Sequence, residues 1–297
     1  MYENQYVKIA RQVGFWILIV LILLFTLFPF YWAVAGSFKS ESEIKSPPAT
    51  YFPNRVVFNN YWGEATDPIL NQTVDRGVFR NLSFMRGLFN SALVSSITVV
   101  ISLVVGSFAA YAIGRLKFRG RTLMLYLVLA MTMFPLISIL SGLFTITREL
   151  GVFGSLSALI ITYPIFTLPF TVWVLVSFFR GLPGELEQAA LVDGATPFQT
   201  FYMVLLPLTA PALVTTGLLA FIGAWNEYLL AVTFTVINEE AFTVPVAIVN
   251  FSGSISREEP IAEPLAATVI VTLPLVFLVL IFQRRIIQGL TAGAVKG

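Results

Sequence analysis

The chain contains no cysteine and no histidine among its 297 residues. Disulfide bonds, thiolate catalysis and the usual zinc sites are therefore excluded. Charge is also scarce, because Asp, Glu, Lys and Arg make up only 11% of the residues, whereas a soluble domain carries about 25%. A chain that is 57% hydrophobic, with a mean hydropathy of +0.84, cannot bury its apolar surface in one soluble core. The composition predicts a membrane protein.

Six apolar segments are long enough to cross a membrane, since about 20 residues of helix span its hydrocarbon core. Lipid cannot satisfy the polar groups of an open strand edge, so each segment is predicted to be helical. The predicted fold class is an all-α membrane protein with six transmembrane helices in one domain, residues 14–283. The segments cover residues 14–35, 88–113, 123–146, 155–179, 208–234 and 264–282.

The first segment has an alternative interpretation. The sequence Ala33-Val34-Ala35, behind Lys8 and Arg11, resembles the cleavage site of a signal peptide. However, the apolar run over residues 14–33 exceeds a typical signal-peptide core and is long enough to span the membrane. A retained span is therefore favoured over a cleaved signal.

The short loops predict the orientation of the chain. Residues 115–121, RLKFRGR, hold four basic residues and no acid, and the tails 1–13 and 284–297 are also basic. The positive-inside rule makes this side cytoplasmic, with both termini on it. The external side then carries a long loop of mixed charge, residues 36–87, and an acidic loop, residues 235–263.

One stretch within the predicted cytoplasmic loop 180–207 is amphipathic rather than apolar. Its sequence, ELEQAALVDGATPFQTFYMVLLPL, predicts two short helices joined at a glycine. Pro183 is expected in the first turn of the first helix and Gly194 at its end. Residues 196–199, Thr-Pro-Phe-Gln, form a capping box that starts the second helix, and Pro207 closes the segment.

This stretch is either an interfacial loop or a docking helix for another protein. Asp193 is a misfit, since a carboxylate in the last turn opposes the helix dipole. It is expected to bond to the backbone of Ala195 or Thr196, or to reach a cationic partner. Docking would use small residues for close approach and two aromatic anchors, namely Ala189, Ala190, Gly194, Ala195, Phe198 and Phe201.

The stretch resembles the EAA loop of permease subunits of bacterial ABC importers, which reads E-A-A-x3-G-x9-I-x-L-P. Gln188-Ala189-Ala190, Gly194 and Val204-Leu205-Leu206-Pro207 match that spacing. Gln188 replaces the first Glu and Val204 replaces Ile, so the role of that Glu is not transferred to Gln188. Three further segments are typical of carbohydrate importers: LEQAALVDGATP at 186–197, FIGAWNEYLLA at 221–231 and QRRIIQGLTAGAVKG at 283–297.

The chain as a whole resembles the MalG-type permease subunits of maltose/trehalose importers. Residues 245–260, PVAIVNFSGSISREEP, are similar to the version in trehalose importers. The resemblance implies the bacterial cytoplasmic membrane, a second, MalF-like permease subunit, two ATPase subunits and an external solute-binding protein. No cofactor is expected in this chain, which lacks a P-loop and is not itself an enzyme; ATP and Mg²⁺ belong to the partner ATPase. The implied mechanism is alternating access, with trehalose, maltose or related α-glucosides as the substrate.

The same resemblance assigns roles to particular residues. The loop that couples to the ATPase comprises Glu187, Gln188, Ala189, Ala190, Asp193, Gly194, Ala195, Thr196, Pro197, Phe198, Phe201 and Pro207. The C-terminal tail would contact the ATPases through Gly289, Thr291, Gly293 and Lys296. The external loop would reach the solute-binding protein through Asn250, Phe251, Ser252, Gly253 and Ser254, although an ordinary external loop explains that sequence equally well.

An acidic residue falls within the fifth predicted span. Glu227 lies beside Trp225 and Asn226, and ionisable groups inside a membrane usually face a cavity or a partner. These three residues either line the translocation path or lie near a helix end among lipid headgroups.

The sequence disfavours two other classes of protein. An ion-coupled secondary sugar carrier needs coupling-ion chemistry, yet the spans offer no histidine and one convincing acid. It would also show inverted repeats with matching broken segments, which are not visible. A membrane-embedded enzyme needs a nucleophile with a base, a carboxylate pair or a metal cluster, and no such set appears in the spans.

Overall fold

The computed structural model describes residues 5–66, 73–75, 77–250 and 260–294, and most of that part is helical. The first helices are α1 (Gln5–Ser37), α2 (Glu41–Lys45), α3 (Asn59–Trp62), α4 (Leu82–Arg115), α5 (Arg121–Thr132), α6 (Leu136–Glu149), α7 (Leu156–Thr162) and α8 (Pro164–Gly181). They are followed by α9 (Glu185–Val192), α10 (Pro197–Gln199), α11 (Leu206–Leu208), α12 (Ala210–Trp225), α13 (Leu229–Thr235), α14 (Val244–Val249) and α15 (Ala262–Ala294). A π-helical turn, Thr200–Leu205, joins α10 to α11, and a 3₁₀ turn, Glu239–Ala241, precedes α14.

Two short strands depart from the all-α prediction. Strand β1 (Glu64–Thr66) pairs antiparallel with β2 (Thr73–Asp75), and Ala65 lies opposite Val74. β-Branched residues such as Thr66, Thr73 and Val74 favour extended backbone. The all-α prediction is therefore wrong for this part of the loop between α1 and α4.

The chain forms two compact units, Met1–Asn81 with Asn250–Ile270, and Leu82–Val249 with Val271–Gly297. In the first unit, the buried side chain of Asn60 donates hydrogen bonds to the carbonyl oxygens of Ser37 (2.8 Å) and Lys39 (2.9 Å). A buried amide that satisfies two backbone acceptors fixes the fold of the segment that follows α1.

The same unit contains the beginning of α15. The carboxylate of Glu41 accepts hydrogen bonds from the backbone N–H groups of Ile261 (2.9 Å) and Ala262 (3.0 Å). These N–H groups lie at a helix N-terminus, where an acidic side chain compensates the unpaired donors and the helix dipole. Glu41 therefore caps the last long helix.

In the second unit, α4 packs along α8, α12 and α14. Its contact with α8 is close, because a Cβ atom on Gly106 would lie 2.9 Å from a methyl group of Thr171. Ser102 and Thr167 share a hydrogen bond of 2.6 Å across the same contact. Small residues and hydroxyl groups are the usual means by which membrane helices approach each other.

Four helices are long and apolar enough to cross a membrane by length and composition, at Arg11–Ser37, Leu82–Arg115, Leu156–Gly181 and Ala262–Arg285. Two bent pairs, α5 with α6 and α10–α11 with α12, could each serve as one further span. The described residues therefore support four to six spans.

The third predicted span, residues 123–146, is not one straight helix. The chain bends by 96° between α5 and α6, at Met133 to Pro135. Pro135 has no N–H to donate and disfavours a helical residue before it, so the first helix ends there and a second begins. The prediction of one continuous helix over these residues is wrong.

Candidate functional site

The amphipathic stretch forms the predicted helix–turn–helix. Helix α9 ends in a Schellman motif, in which Gly194 N–H donates to Leu191 (3.1 Å) and Ala195 N–H donates to Ala190 (2.9 Å). Gly194 adopts a left-handed conformation with φ of +84°, which glycine enters without the strain that a Cβ atom brings. The prediction that Gly194 ends the helix is confirmed.

The second helix begins with the predicted capping box. Thr196 Oγ1 accepts from the backbone N–H of Gln199 (3.3 Å), and Gln199 Oε1 accepts from the backbone N–H of Thr196 (2.7 Å). Pro197 occupies the first turn, where its missing N–H costs nothing. These reciprocal bonds fix the angle at which the chain leaves the Gly194 turn.

Two predicted boundaries of the stretch differ from the structure. Pro183 lies before α9, whose N-terminal cap is Gly184, because the helix starts only where the chain has turned away from α8. Pro207 does not end the stretch either, since it lies in the first turn of α11 and the bend follows at Thr209. A proline in a first turn is compatible with helix, so the chain continues past it.

Arg115, the last residue of α4, holds the start of this loop. Its Nε donates to Glu187 Oε1 at 2.7 Å, and its Nη1 donates to the carbonyl oxygen of Leu182 at 3.0 Å. The Arg115 side chain is 11% exposed and that of Glu187 is 27% exposed. A charge-assisted pair that is this protected from water is stronger than a surface pair.

A group of aromatic rings fixes the second half of the loop. Phe201 is 3% exposed, and its ring centroid lies 4.9 Å from that of Tyr111 and 5.2 Å from that of Phe108. Phe179 also lies within ring-contact distance, at 6.1 Å. Phe201 thus packs against its own chain.

The turn between the two helices presents an apolar tip. Val192 is 86% exposed, Phe198 is 61% exposed and Leu191 is 52% exposed. Asp193 and Gly194 are exposed beside them, whereas Ala190 is buried. Asp193 adds an exposed carboxylate to this tip. The ring of Phe198 lies 5.3 Å from that of Tyr202 and 6.4 Å from that of Phe108, centroid to centroid, so it is supported on one side and exposed on the other.

The fifth predicted span is broken where the sequence places its acid. Helix α12 ends at Trp225 and α13 begins at Leu229. The Glu227 carboxylate accepts from the N–H groups of Leu230 (2.8 Å) and Ala231 (3.0 Å), so it caps α13. Glu227 therefore lies in a helix break and not inside a continuous helix over residues 208–234. Its carboxylate accepts from N–H groups that have no partner within α13, since they belong to the first turn.

The neighbours of Glu227 differ in exposure. Asn226 is exposed, and its side-chain amide donates to the carbonyl oxygen of Ile222 at 2.9 Å. Trp225 is 2% exposed, and its indole N–H has no hydrogen-bond partner among the described residues. The break thus places one carboxylate, one amide and one unpaired indole N–H close together along the chain.

The other predicted contact regions are described only in part. Asn250 is exposed at the end of α14, while Phe251, Ser252, Gly253 and Ser254 lie outside the described residues. Gly289, Thr291 and Gly293 belong to the last turns of α15, and Lys296 lies outside the described residues.

Asn90 and Arg115 are contact residues that the sequence analysis did not single out. Asn90 is buried in α4, and its amide donates to the carbonyl oxygens of Glu240 and Phe242, both at 2.8 Å. An asparagine inside an apolar helix was a usable signal, since a buried amide needs partners. Arg115 was counted only as a loop charge, and its pairing could not be read from one sequence.

The described residues contain no group of three or more His, Cys, Asp or Glu that could hold a metal ion. What the structure presents instead is a set of long apolar helices with one clamped amphipathic loop. These are the features of a multi-pass membrane protein.

Comparison with known proteins agrees with that class. The family described as "Binding-protein-dependent transport system inner membrane component" matches residues 76–292, and the chain belongs to this family. It is accordingly a multi-pass permease component of an ABC importer in the inner, cytoplasmic membrane, and not an ATPase.

Individual relatives match over nearly the whole chain. The trehalose transport system permease protein SugB of Mycobacterium tuberculosis is 43% identical, covering 97% of this chain and 99% of the relative. The trehalose/maltose transport system permease protein MalG of Thermococcus litoralis is 38% identical, covering 94% of each. The sulfoquinovosyl glycerol transport system permease protein SmoH of Agrobacterium fabrum is also 38% identical, over 91% and 89%.

A solved structure supports the fold. One chain of a bacterial ABC transporter involved in the import of the acidic polysaccharide alginate superposes with a TM-score of 0.76. The match covers 96% of this chain and 99% of the other, at 21% sequence identity. The ABC importer permease fold is thereby shown for this chain.

Proposed function

We propose that this chain is one of two permease subunits of an ATP-driven importer that carries a disaccharide, trehalose or maltose or a related α-glucoside, into a bacterium. Two relatives, at 43% and 38% identity, carry trehalose in their names. The proposed assembly contains a MalF-like permease subunit, two ATPase subunits that bind ATP and Mg²⁺, and an external solute-binding protein. Both termini lie in the cytoplasm in this proposal.

The observation that carries the proposal is the exposed apolar tip of the amphipathic loop, which Arg115 holds at its start and the rings around Phe201 hold in its second half. Isolated apolar side chains on a surface are ordinary. Here, however, Val192 and Phe198 are exposed on either side of an exposed carboxylate, and the turn between them has a backbone fixed by a Schellman motif and a capping box. An anchor held on a rigid support loses little entropy on docking. We assign this tip to the partner ATPase.

Transport then follows by alternating access. ATP binding closes the ATPase pair, the docked loop moves with it, and the spans open to the outside. Sugar passes from the solute-binding protein into the cavity, and hydrolysis resets the cycle. The segment around Asn250–Ser254 faces the binding protein, the end of α15 around Gly289–Lys296 faces the ATPases, and Trp225, Asn226 and Glu227 line the path.

Reconstitution tests this function. The four kinds of subunit are placed in liposomes, and uptake of labelled trehalose and of labelled maltose is measured with ATP inside and the binding protein outside. Uptake that needs both ATP and the binding protein is expected. Uptake by this chain alone, driven by an ion gradient without ATP, would overturn the proposal in favour of a secondary carrier.

A further inference from the structure

Arg115 joins three helices at one point. It is the last residue of α4, a continuous helix of 34 residues with a length of about 50 Å at 1.5 Å per residue. Its guanidinium contacts the carbonyl oxygen of Leu182, which caps the end of α8, and the carboxylate of Glu187 in the first turn of α9. A third contact, from Nη2 to the carbonyl oxygen of Pro183, is 3.4 Å long.

These contacts satisfy groups that would otherwise lack partners. The last carbonyl oxygens of a helix accept no hydrogen bond from within that helix. The guanidinium of Arg115 supplies N–H donors to the carbonyl groups where the chain leaves α8. The planar guanidinium can donate hydrogen bonds to two acceptors at a fixed angle, which a lysine ammonium cannot do. Movement of α9 away from α4 must therefore break the protected Arg115–Glu187 ion pair, and movement of the end of α8 must break the hydrogen bond to Leu182.

The opposite end of α4 is attached as well. Asn90 and Ser91 bind the backbone of the segment before α14, through the carbonyl oxygens of Glu240 and Phe242 and the N–H of Val244. A Cβ atom on Gly87 would lie 3.1 Å from Ala247, so α14 itself also packs closely on α4. One uninterrupted helix thus connects the base of α9 with the base of the segment that leads to Asn250.

We propose that Arg115 is a positioning residue that makes α9 and α4 move as one body, so that displacement of the loop tip reaches the far end of α4. The inference rests on the proposed function, in which the tip docks on an ATPase. Arg115 itself contacts neither sugar nor nucleotide. Its loss uncouples ATP hydrolysis from transport without abolishing hydrolysis.

The experiment compares variants in the reconstituted importer, with the solute-binding protein outside the liposomes. Arg115→Ala should assemble with its partners and hydrolyse ATP, while the sugar imported per ATP hydrolysed falls about tenfold, the factor expected for losing a charge-assisted bond of about 1.4 kcal/mol. Arg115→Lys should lie between wild type and Arg115→Ala. Arg119→Ala is the matched control, because Arg119 is exposed in the same loop and makes no ion pair among the described residues.

A reversed pair addresses the case in which Arg115→Ala fails to assemble. Arg115→Glu combined with Glu187→Arg restores the ion pair but not the bonds to the carbonyl oxygens. The double variant should import more sugar per ATP than either single variant. The inference would be overturned if the double variant imported no more sugar per ATP than the single variants. It would also be overturned if the sugar imported per ATP by Arg115→Ala were within about twofold of wild type.

The wild type separates this inference from the proposed function. If the wild-type assembly shows no ATP-driven uptake, the proposed function fails and the inference fails with it. If the wild type imports sugar and Arg115→Ala imports the same amount of sugar per ATP hydrolysed, only the inference fails. A loss of uptake and hydrolysis in equal proportion would also contradict it, since a merely structural defect reduces both together.

Discussion

The side-chain amide of Asn90 donates a hydrogen bond to the carbonyl oxygen of Phe242 at 2.8 Å, across 152 positions of sequence. The same nitrogen serves Glu240, and the Asn90 side chain is 4% exposed. Removing this amide leaves the buried carbonyl oxygen of Phe242 and the partly buried one of Glu240 without this donor. The Asn90 amide is therefore one of the buried polar contacts that hold α4 against the segment before α14.

Asn90→Ala should lower the free energy of unfolding by about 1–3 kcal/mol, the usual penalty for a buried group left unpaired. Thermal unfolding of the purified protein, followed by tryptophan fluorescence, measures the change. Arg86→Ala is the control, because Arg86 pairs with Glu240 at the surface, with side chains 39% and 74% exposed, and such pairs contribute less than about 1 kcal/mol. Equal shifts for the two variants would refute the role of Asn90.

Substitution at Gly194 should act through the backbone and not through crowding. Nothing lies within 4 Å of a Cβ atom built there, while φ is +84°. Left-handed backbone costs an ordinary residue about 1–2 kcal/mol, and Asn adopts it more readily than Ala or Val. We expect coupled transport to decrease in the order Gly, Asn, Ala, Val, with membrane insertion intact in each. Normal sugar-stimulated ATP hydrolysis in Gly194→Val would count against a coupling role for the turn.

Phe198 and Phe201 should separate docking from folding. Phe201→Ala empties a buried position and should cost about 3–5 kcal/mol of stability. Phe198→Ala removes a ring that is 61% exposed, so stability should change little while less ATPase is recovered with the solubilised complex. Thermal unfolding and quantitative pull-down measure the two effects. If Phe198→Ala retains the full amount of ATPase, its ring is not an anchor.

One series of substitutions at Glu227 tests both its role as a helix cap and its place on the translocation path. Glu227→Ala removes the acceptor for two backbone N–H groups and should destabilise by about 1 kcal/mol, as for other N-terminal caps. Glu227→Gln keeps one acceptor oxygen and should be closer to wild type in stability. A fall in sugar uptake by Glu227→Gln, measured at retained stability, is the result expected if the charge serves the path. Unchanged sugar uptake by Glu227→Gln would show that the charge of Glu227 does not serve the translocation path.

Local signals in the sequence predicted the loop well. The glycine at 194 and the Thr196–Gln199 capping box act within a few residues of themselves, so their structure follows from neighbouring residue types. The prediction of a membrane protein also followed directly from composition. Only 11% of the residues are charged, whereas a soluble domain carries about 25%.

Features that depend on distant contacts could not be predicted in the same way. Arg115 and Glu187 are 72 residues apart, and a basic residue at a span end has a sufficient explanation in the charge rule for membrane loops. The bend at Pro135 was also missed, since membrane helices tolerate proline when neighbours satisfy the freed groups. Whether a proline bends or breaks a helix is decided by packing, which one sequence does not display.

The central claim, that the tip of the loop docks on an ATPase subunit, is tested most directly by cross-linking. The chain has no cysteine, so Val192→Cys introduces a single thiol at a position that is 86% exposed. Val236→Cys, at an exposed position after α13, is the matched control. With a short bifunctional reagent and the assembled complex in membranes, the account predicts a cross-link from position 192 to the ATPase subunit and none from position 236. No product from position 192, or equal products from both, would contradict it.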